Sequence, residues 1–181
     1  NDPGSLAGQS LQFGGTTAYT LSGGLDVSGV EIINIVTSII ATGTSSTVVV
    51  APGTISVFSA NVTGGSGGVQ LVGQGIATLA YTYNHGVQLN TATVTAMGVG
   101  SVKVEGKGES SSSNFNAGVY LSNSKITSSG GNVEVKGTGG GSGSSANNYG
   151  VYTLIGSEIS AGDLGSVTVE GQGGTASTGN N

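Results

Sequence analysis

The sequence predicts an all-β fold, a right-handed parallel β-helix with three strands and about 32 residues in each coil. Two observations lead to this prediction. The sequence matches itself when it is shifted by about 32 residues, and each repeat contains three short runs of alternating apolar and polar residues. Such alternation is typical of half-buried strands, and a period of roughly 20 to 50 residues is typical of solenoids. Without a period, 36 glycines in 181 residues would instead indicate disorder.

The first recurring strand has the form Val-x-Val-x-Gly-x-Gly, with Leu replacing the second Val in one copy. Its four copies are 69–75, 102–108, 133–139 and 167–173. Apolar residues at every second position favour extended structure with one set of side chains in a core. The glycines that end each copy indicate a corner.

Two further strands recur in each repeat. The second begins Gly-Val in three copies, at 86–89, 118–121 and 150–153. The third centres on a β-branched residue that returns in four copies: Val62, Val94, Ile126 and Ile159. Three strands per repeat predict a coil of roughly triangular cross-section.

A weaker turn precedes these copies, with 39–43 as its first strand and 55–57 as its second. Residues 1–38 fit the period poorly. Because terminal repeats of a solenoid must cover an open core, we interpret 1–38 as an N-terminal cap or a divergent first coil. Residues 39–181 are then β-helix coils, which we expect to continue beyond residue 181 in a longer protein.

Stacking of the coils predicts columns of equivalent side chains, since parallel strands lie about 4.8 Å apart. The inward columns are Val69, Val102, Val133 and Val167; Leu71, Val104, Val135 and Val169; Val87, Val119 and Val151; Val94, Ile126 and Ile159. The outward neighbours are Lys103 with Glu134, Lys125 with Glu158, and an alternating ladder of Glu105, Lys136 and Glu170. Opposite charges at neighbouring positions favour this register.

Four asparagines, Asn84, Asn116, Asn148 and Asn180, recur at intervals of 32, each two residues before the second strand. A corner leaves peptide groups unpaired and favours left-handed backbone, in which Asn is tolerated. We interpret them as a structural ladder of stacked side chains, with a polar binding site as the alternative. The Gly/Ser-rich segments before them, such as 106–113 and 139–145, have little to bury and are expected to project as mobile arches.

Tyr120 and Tyr152 fall on one outward column. A cross-coil pair that stabilises the sheet is the first interpretation, and a glycan contact is the alternative. His85, the only histidine, falls where other coils carry Ala117 and Tyr149, which indicates a variable, exposed position.

The composition argues against several classes of function. Four Lys and no Arg cannot form the basic clusters that bind nucleic acid. The longest apolar stretch, 31–41, is far shorter than the roughly 20 residues of a membrane-spanning helix. The scattered acidic residues form no evident carboxylate pair, and there is no Cys. We therefore predict no catalytic residue, no cofactor, no metal site and no enzyme activity.

The Gly-Val-Tyr-Leu strand at 118–121 and the Val-Glu-Val-Lys-Gly-Thr-Gly-Gly strand at 133–140, joined by Ser/Gly/Asn-rich loops, carry a resemblance to known repeats. They resemble the β-helical repeats of large bacterial surface and secreted proteins of the adhesin, filamentous haemagglutinin and autotransporter-passenger type. The resemblance covers about residues 54–181. It implies an extracellular or cell-surface setting.

The expected role is therefore that of a structural or adhesive repeat protein that forms a stiff rod or fibre. Its expected partners are further coils of the same chain, other copies stacked end to end, or a glycan or a host or neighbouring cell surface. A carbohydrate-binding or carbohydrate-cleaving β-helix is the alternative.

Overall fold

The computed structural model describes residues 9–76 and 84–175, and all helical or extended structure in these ranges is β-strand. The strands are β1 (Ser10–Phe13), β2 (Tyr19–Leu21), β3 (Leu25–Val27), β4 (Ile32–Ile35), β5 (Ile39–Ala41), β6 (Thr47–Ala51), β7 (Ile55–Phe58), β8 (Asn61–Gly64), β9 (Val69–Gln74), β10 (Val87–Asn90), β11 (Thr93–Ala96), β12 (Val102–Lys107), β13 (Val119–Ser122), β14 (Lys125–Ser128), β15 (Val133–Thr138), β16 (Val151–Thr153), β17 (Glu158–Ala161) and β18 (Val167–Gln172).

Every third strand belongs to the same sheet. Sheet A contains β1, β4, β7, β10, β13 and β16; sheet B begins with β2 and sheet C with β3, and both continue in steps of three. All pairings are parallel. The chain is therefore a right-handed parallel β-helix with three strands per coil, which confirms the fold predicted from the sequence. The described residues form six coils.

The coils have two lengths. In sheet A, Ile55 pairs with Val87 and Val87 with Val119, steps of 32 residues. Ile33, however, pairs with Ile55, a step of only 22. The difference lies in the connection from sheet C to sheet A, which is 52–54 after β6 but 75–86 after β9.

The short early coils explain one wrong prediction. Residues 39–43 do not take the place of the first recurring strand, because Ile39–Ala41 is β5 of sheet B. The sheet C strand of that coil is β6, in which Val49 pairs with Leu71. The shift of 32 overran a coil that lacks about ten connecting residues. The placement of 55–57 in the second strand is confirmed by β7.

The N-terminal segment also joins the three sheets, since β1 to β4 lie within residues 10–35 and pair in the same order as later strands. Residues 1–8 lie outside the described ranges. The division of the chain at residue 38, and its continuation beyond residue 181, stay predictions.

The core runs through the centre of the coils as predicted columns of apolar side chains. Leu71, Val104 and Val135 stack in sheet C and are fully buried. Each buried side chain of this size stabilises the fold by roughly 1.5 to 3 kcal/mol. In the sixth coil the columns reach the surface, where Val167 and Val169 are 44% and 48% exposed.

Glycines inside the sheet C strands allow two chain segments to cross. A Cβ on Gly106 would overlap the carbonyl oxygen of Gly118, and a Cβ on Gly118 would overlap the backbone of Lys107. The chain therefore leaves sheet C and enters sheet A backbone against backbone. The same crossing recurs at Gly73 with Gly86 and at Gly137 with Gly150.

The predicted charge register is confirmed, and one ion pair forms differently. Lys103 is aligned with Glu134, and Lys125 with Glu158. Lys125 Nζ lies 3.0 Å from a Glu158 carboxylate oxygen. Lys103 Nζ instead contacts Glu105 of its own strand at 3.3 Å. These side chains are largely exposed, so the pairs favour the register more than they add stability.

Lys136 and Glu170 continue the outward ladder with an ion pair at 3.6 Å. Within the described ranges there is no helix long and apolar enough to span a membrane.

Candidate functional site

Three of the four repeated asparagines are buried at the corner before sheet A. Asn116 Nδ2 donates a hydrogen bond to Asn148 Oδ1 at 2.9 Å, and the backbone N–H of Asn116 donates to the same oxygen at 3.1 Å. Between Asn84 and Asn116 a serine takes part: Asn84 Nδ2 donates to Ser111 Oγ at 3.2 Å, which donates to Asn116 Oδ1 at 3.0 Å. Asn180 lies outside the described residues.

The backbone reason given for these asparagines is wrong. The left-handed residues are Phe115 and Asn147, each with φ of 61°, one position before Asn116 and Asn148. The preceding residue therefore makes the turn, while the buried asparagine supplies its side-chain amide to unpaired peptide groups. The arrangement accounts for Asn116 and Asn148 through hydrogen bonding alone.

The Gly/Ser-rich segments do not project as unsupported arches, as was predicted. Gly141 N donates to Glu109 O at 2.8 Å, and Ser142 N donates to Ser111 O at 2.8 Å, so successive segments are hydrogen-bonded across coils. Ser145 is fully buried and accepts a hydrogen bond from Asn148 Nδ2 at 3.1 Å. Small residues let these segments approach closely enough to continue the stack.

His85 is not exposed, in contrast to the sequence prediction. Only 2% of its surface is accessible, and Ala117 at the same place in the next coil is also buried. The Ala117 N–H donates to His85 Nδ1 at 3.1 Å. Burial lowers the pKa of His85 to about 4, and the bond to Nδ1 uses the lone pair that a second proton would need.

Aromatic rings continue from His85 across the next two coils. The His85 and Tyr120 rings stack at 4.7 Å with planes 7° apart, and Tyr149 stacks on Tyr152 at 4.8 Å and 11°. Tyr120 and Tyr152, which are aligned in adjacent strands of sheet A, are 5.9 Å apart and inclined by 39°. We call these four rings the aromatic stack. The 32-residue period places Tyr120 and Tyr152 together, but it carried no signal that His85 joins them.

A groove of about 340 Å³ lies beside the aromatic stack on the outer face of sheet A. Its described lining residues are His85, Gln88, Asn90, Phe115, Tyr120, Tyr152 and Leu154. The lining thus combines aromatic and apolar surface with two primary amides. This volume falls at the lower end of the range of roughly 300 to 1,000 Å³ for small-molecule sites.

Other kinds of site find little support in residues 9–76 and 84–175. No group of three or more His, Cys, Asp or Glu side chains in these ranges could hold a metal ion. The buried polar side-chain atoms described there all have hydrogen-bond partners. The groove on sheet A is therefore the candidate site that we consider further.

The fold and groove together define a parallel β-helix with a neutral aromatic groove on one face. Comparisons with protein-family models, with curated proteins and with solved structures gave no match to the chain.

Proposed function

We propose that the protein is a non-enzymatic structural repeat protein whose coils form part of a stiff extracellular or cell-surface rod or fibre. The observation that best supports this proposal is the stacking of strands in three parallel, in-register sheets. Each coil contacts its neighbours, so adding coils lengthens the stack without changing its cross-section. The adhesin, haemagglutinin or autotransporter-type affiliation and the extracellular setting rest on the resemblance of the repeats.

Several features of the corners support stiffness. The glycine crossings pack backbone directly against backbone, which leaves little room for a hinge. Beside them, Asn116 and Asn148 are joined by a buried hydrogen bond across two coils. A rod that must transmit force or hold a distance needs this kind of connection between neighbouring coils.

The only histidine of the chain fits a structural role better than a catalytic one. Its Nδ1 already accepts a backbone hydrogen bond, and its pKa of about 4 keeps it uncharged at neutral pH. A general base works best with a pKa near the working pH. His85 therefore supports the corner rather than proton transfer.

The surface of the sixth coil suits another coil of the same kind. Val167 and Val169 are partly exposed, and strand β18 presents backbone groups on the side away from β15. At the other end, Phe13, Leu21 and Val27 of β1 to β3 are only partly buried. We propose end-to-end self-association in which β16, β17 and β18 pair with β1, β2 and β3 of a second copy. Such a heterologous contact does not close on itself and so builds a fibre.

Electron microscopy of the purified full-length natural protein tests the rod. We expect elongated particles or filaments with an axial repeat near the strand spacing of about 4.8 Å. Compact particles without this repeat would contradict the proposal. Protease treatment of intact source cells tests the setting, because a surface rod is digested while cytoplasmic proteins remain intact.

A further inference from the structure

We infer that the groove beside the aromatic stack binds a neutral saccharide. Tyr120 and Tyr152 would contact the sugar ring, and the amides of Gln88 and Asn90 would contact its hydroxyl groups. This inference concerns one face of the β-helix and does not depend on the rod proposal.

The lining of the groove has the two kinds of surface that a sugar needs. The C–H groups of a sugar ring carry partial positive charge and pack on the electron-rich faces of aromatic rings. Its hydroxyl groups need both donors and acceptors, which a primary amide supplies together. Gln88 is aligned with Tyr120 in adjacent strands, so an amide and an aromatic ring stand side by side.

The geometry of the aromatic stack makes the Tyr120–Tyr152 pair the contact point. The His85–Tyr120 and Tyr149–Tyr152 pairs are nearly parallel, at 4.7 and 4.8 Å, so the rings within each pair cover one another. Tyr120 and Tyr152 are inclined by 39° and lie 5.9 Å apart. Both rings line the groove, and this splay leaves ring surface directed toward it.

The charge of the groove determines the class of saccharide. None of its described lining residues is Asp, Glu, Lys or Arg, and His85 stays neutral above a pH of about 4. A carboxylated or sulfated sugar would lose hydration without gaining an opposite charge. An uncharged sugar loses only hydroxyl hydration, which the two amides replace.

The same lining favours binding over cleavage. Glycoside hydrolysis uses a pair of carboxyl groups on opposite sides of the bond that breaks, and the described lining supplies none. Gln88, Tyr120 and Tyr152 follow one another in three successive coils of sheet A. Three strands span about 10 Å, so a short saccharide would lie along the axis of the β-helix.

The test uses the 181-residue chain and neutral tetrasaccharides built from glucose, mannose, galactose or N-acetylglucosamine, with tetragalacturonate as the charged comparison. Titration is followed by calorimetry and by NMR. We expect saturable binding of at least one neutral tetrasaccharide with a Kd of about 1 mM or below. The side-chain amide signals of Gln88 and Asn90 should shift during the titration.

Variants separate the roles of the ring and the hydroxyl group. Tyr152→Ala should weaken binding at least about tenfold, as expected for a buried aromatic contact, whereas Tyr152→Phe should weaken it less than about threefold. Tyr19→Ala is the matched control, because Tyr19 is an exposed tyrosine of sheet B in the first coil. It should bind as the unmodified chain does.

Three results would overturn the inference. These are no binding of any neutral tetrasaccharide at about 10 mM, equal or tighter binding of tetragalacturonate, and undiminished binding by a folded Tyr152→Ala variant. If that variant does not fold, the NMR shifts of the unmodified chain decide: shifts confined to residues outside the groove exclude the site.

Discussion

At the scale of single residues, His85 links the stability of the fold to pH. Burial lowers its pKa to about 4 from a usual value of 6.5, so the unfolded chain binds more protons in the interval between these values. Stability from the neutral imidazole is therefore complete above pH 6.5 and is lost progressively as the pH falls toward 4. The groups packed on the imidazole are the Ala117 N–H and the ring of Tyr120, and neither offers a negative charge.

We predict that the free energy of unfolding falls by about 2 kcal/mol between pH 7 and pH 5 because of this one group. Urea unfolding at the two pH values measures the change. His85→Gln can retain an acceptor for the Ala117 N–H but does not titrate, so its decrease over this interval should be much smaller. Equal decreases in both proteins would show that His85 is not the source.

A second residue-scale feature is the corner from sheet A to sheet B. Ser59, Thr91 and Asn123 occupy equivalent places there with φ of 50°, 51° and 49°. Asn tolerates left-handed backbone, whereas a β-branched residue is strained in it.

Thr91→Asn should therefore raise the free energy of unfolding, by about 0.5 to 1 kcal/mol. Thermal and urea unfolding provide the measurement. Thr95→Asn, in the extended strand β11, is the matched control and should not stabilise the protein, because Asn is disfavoured in strands. Stabilisation of equal size by both changes would mean that the backbone at residue 91 is not the cause.

At the scale of elements, the crossing between sheets C and A constrains each coil. Gly106 lies under the carbonyl oxygen of Gly118, while Gly171, the equivalent residue in the sixth coil, has only ordinary contacts around the position of a Cβ. The two glycines belong to the same column through Gly137. They therefore differ in their surroundings and share their place in the strand.

Gly106→Ala should destabilise the protein by about 3 kcal/mol or more, because the new methyl group must displace backbone. Gly171→Ala should change the free energy of unfolding by less than about 1 kcal/mol. Chemical unfolding of both variants makes the comparison. Similar losses in the two variants would show that close crossing is not why glycine occupies these strands.

Much of the element scale was predictable from spacing. The predicted strand 102–108 differs from β12 (Val102–Lys107) by one residue, and the alignment of Lys125 with Glu158 was found from the period. The early coils were misplaced because their steps are 22 residues, and the self-match was dominated by the longer coils. A short connection shifts every later residue number while leaving the strands themselves unchanged.

At the scale of the whole molecule, the surface of the sixth coil governs assembly in our proposal. Val133 of the fifth coil is 1% exposed, whereas Val167, aligned with it in the sixth coil, is 44% exposed. A charge at Val133 would be buried without a partner, while a charge at Val167 can reach water.

We predict that the 181-residue chain associates increasingly with concentration, and that Val167→Lys combined with Val169→Lys prevents association while the chain stays folded. Sedimentation velocity and circular dichroism measure the two properties. Val133→Lys is the contrasting variant, which should unfold. Association that persists in the doubly substituted chain, or a chain that is monomeric at every concentration, would argue against end-to-end stacking through this surface.

The sequence by itself determined the three-sheet architecture, the buried columns and the charge register. The physical reason is that coils stack one strand apart, so residues separated by one period become neighbours and repetition in sequence reads directly as contact. Only the tertiary structure decided the burial of His85, the hydrogen-bonded Gly/Ser segments and the groove beside Tyr120 and Tyr152. These depend on how the chain turns and crosses between sheets, and the side-chain orientations that result have no counterpart in the period.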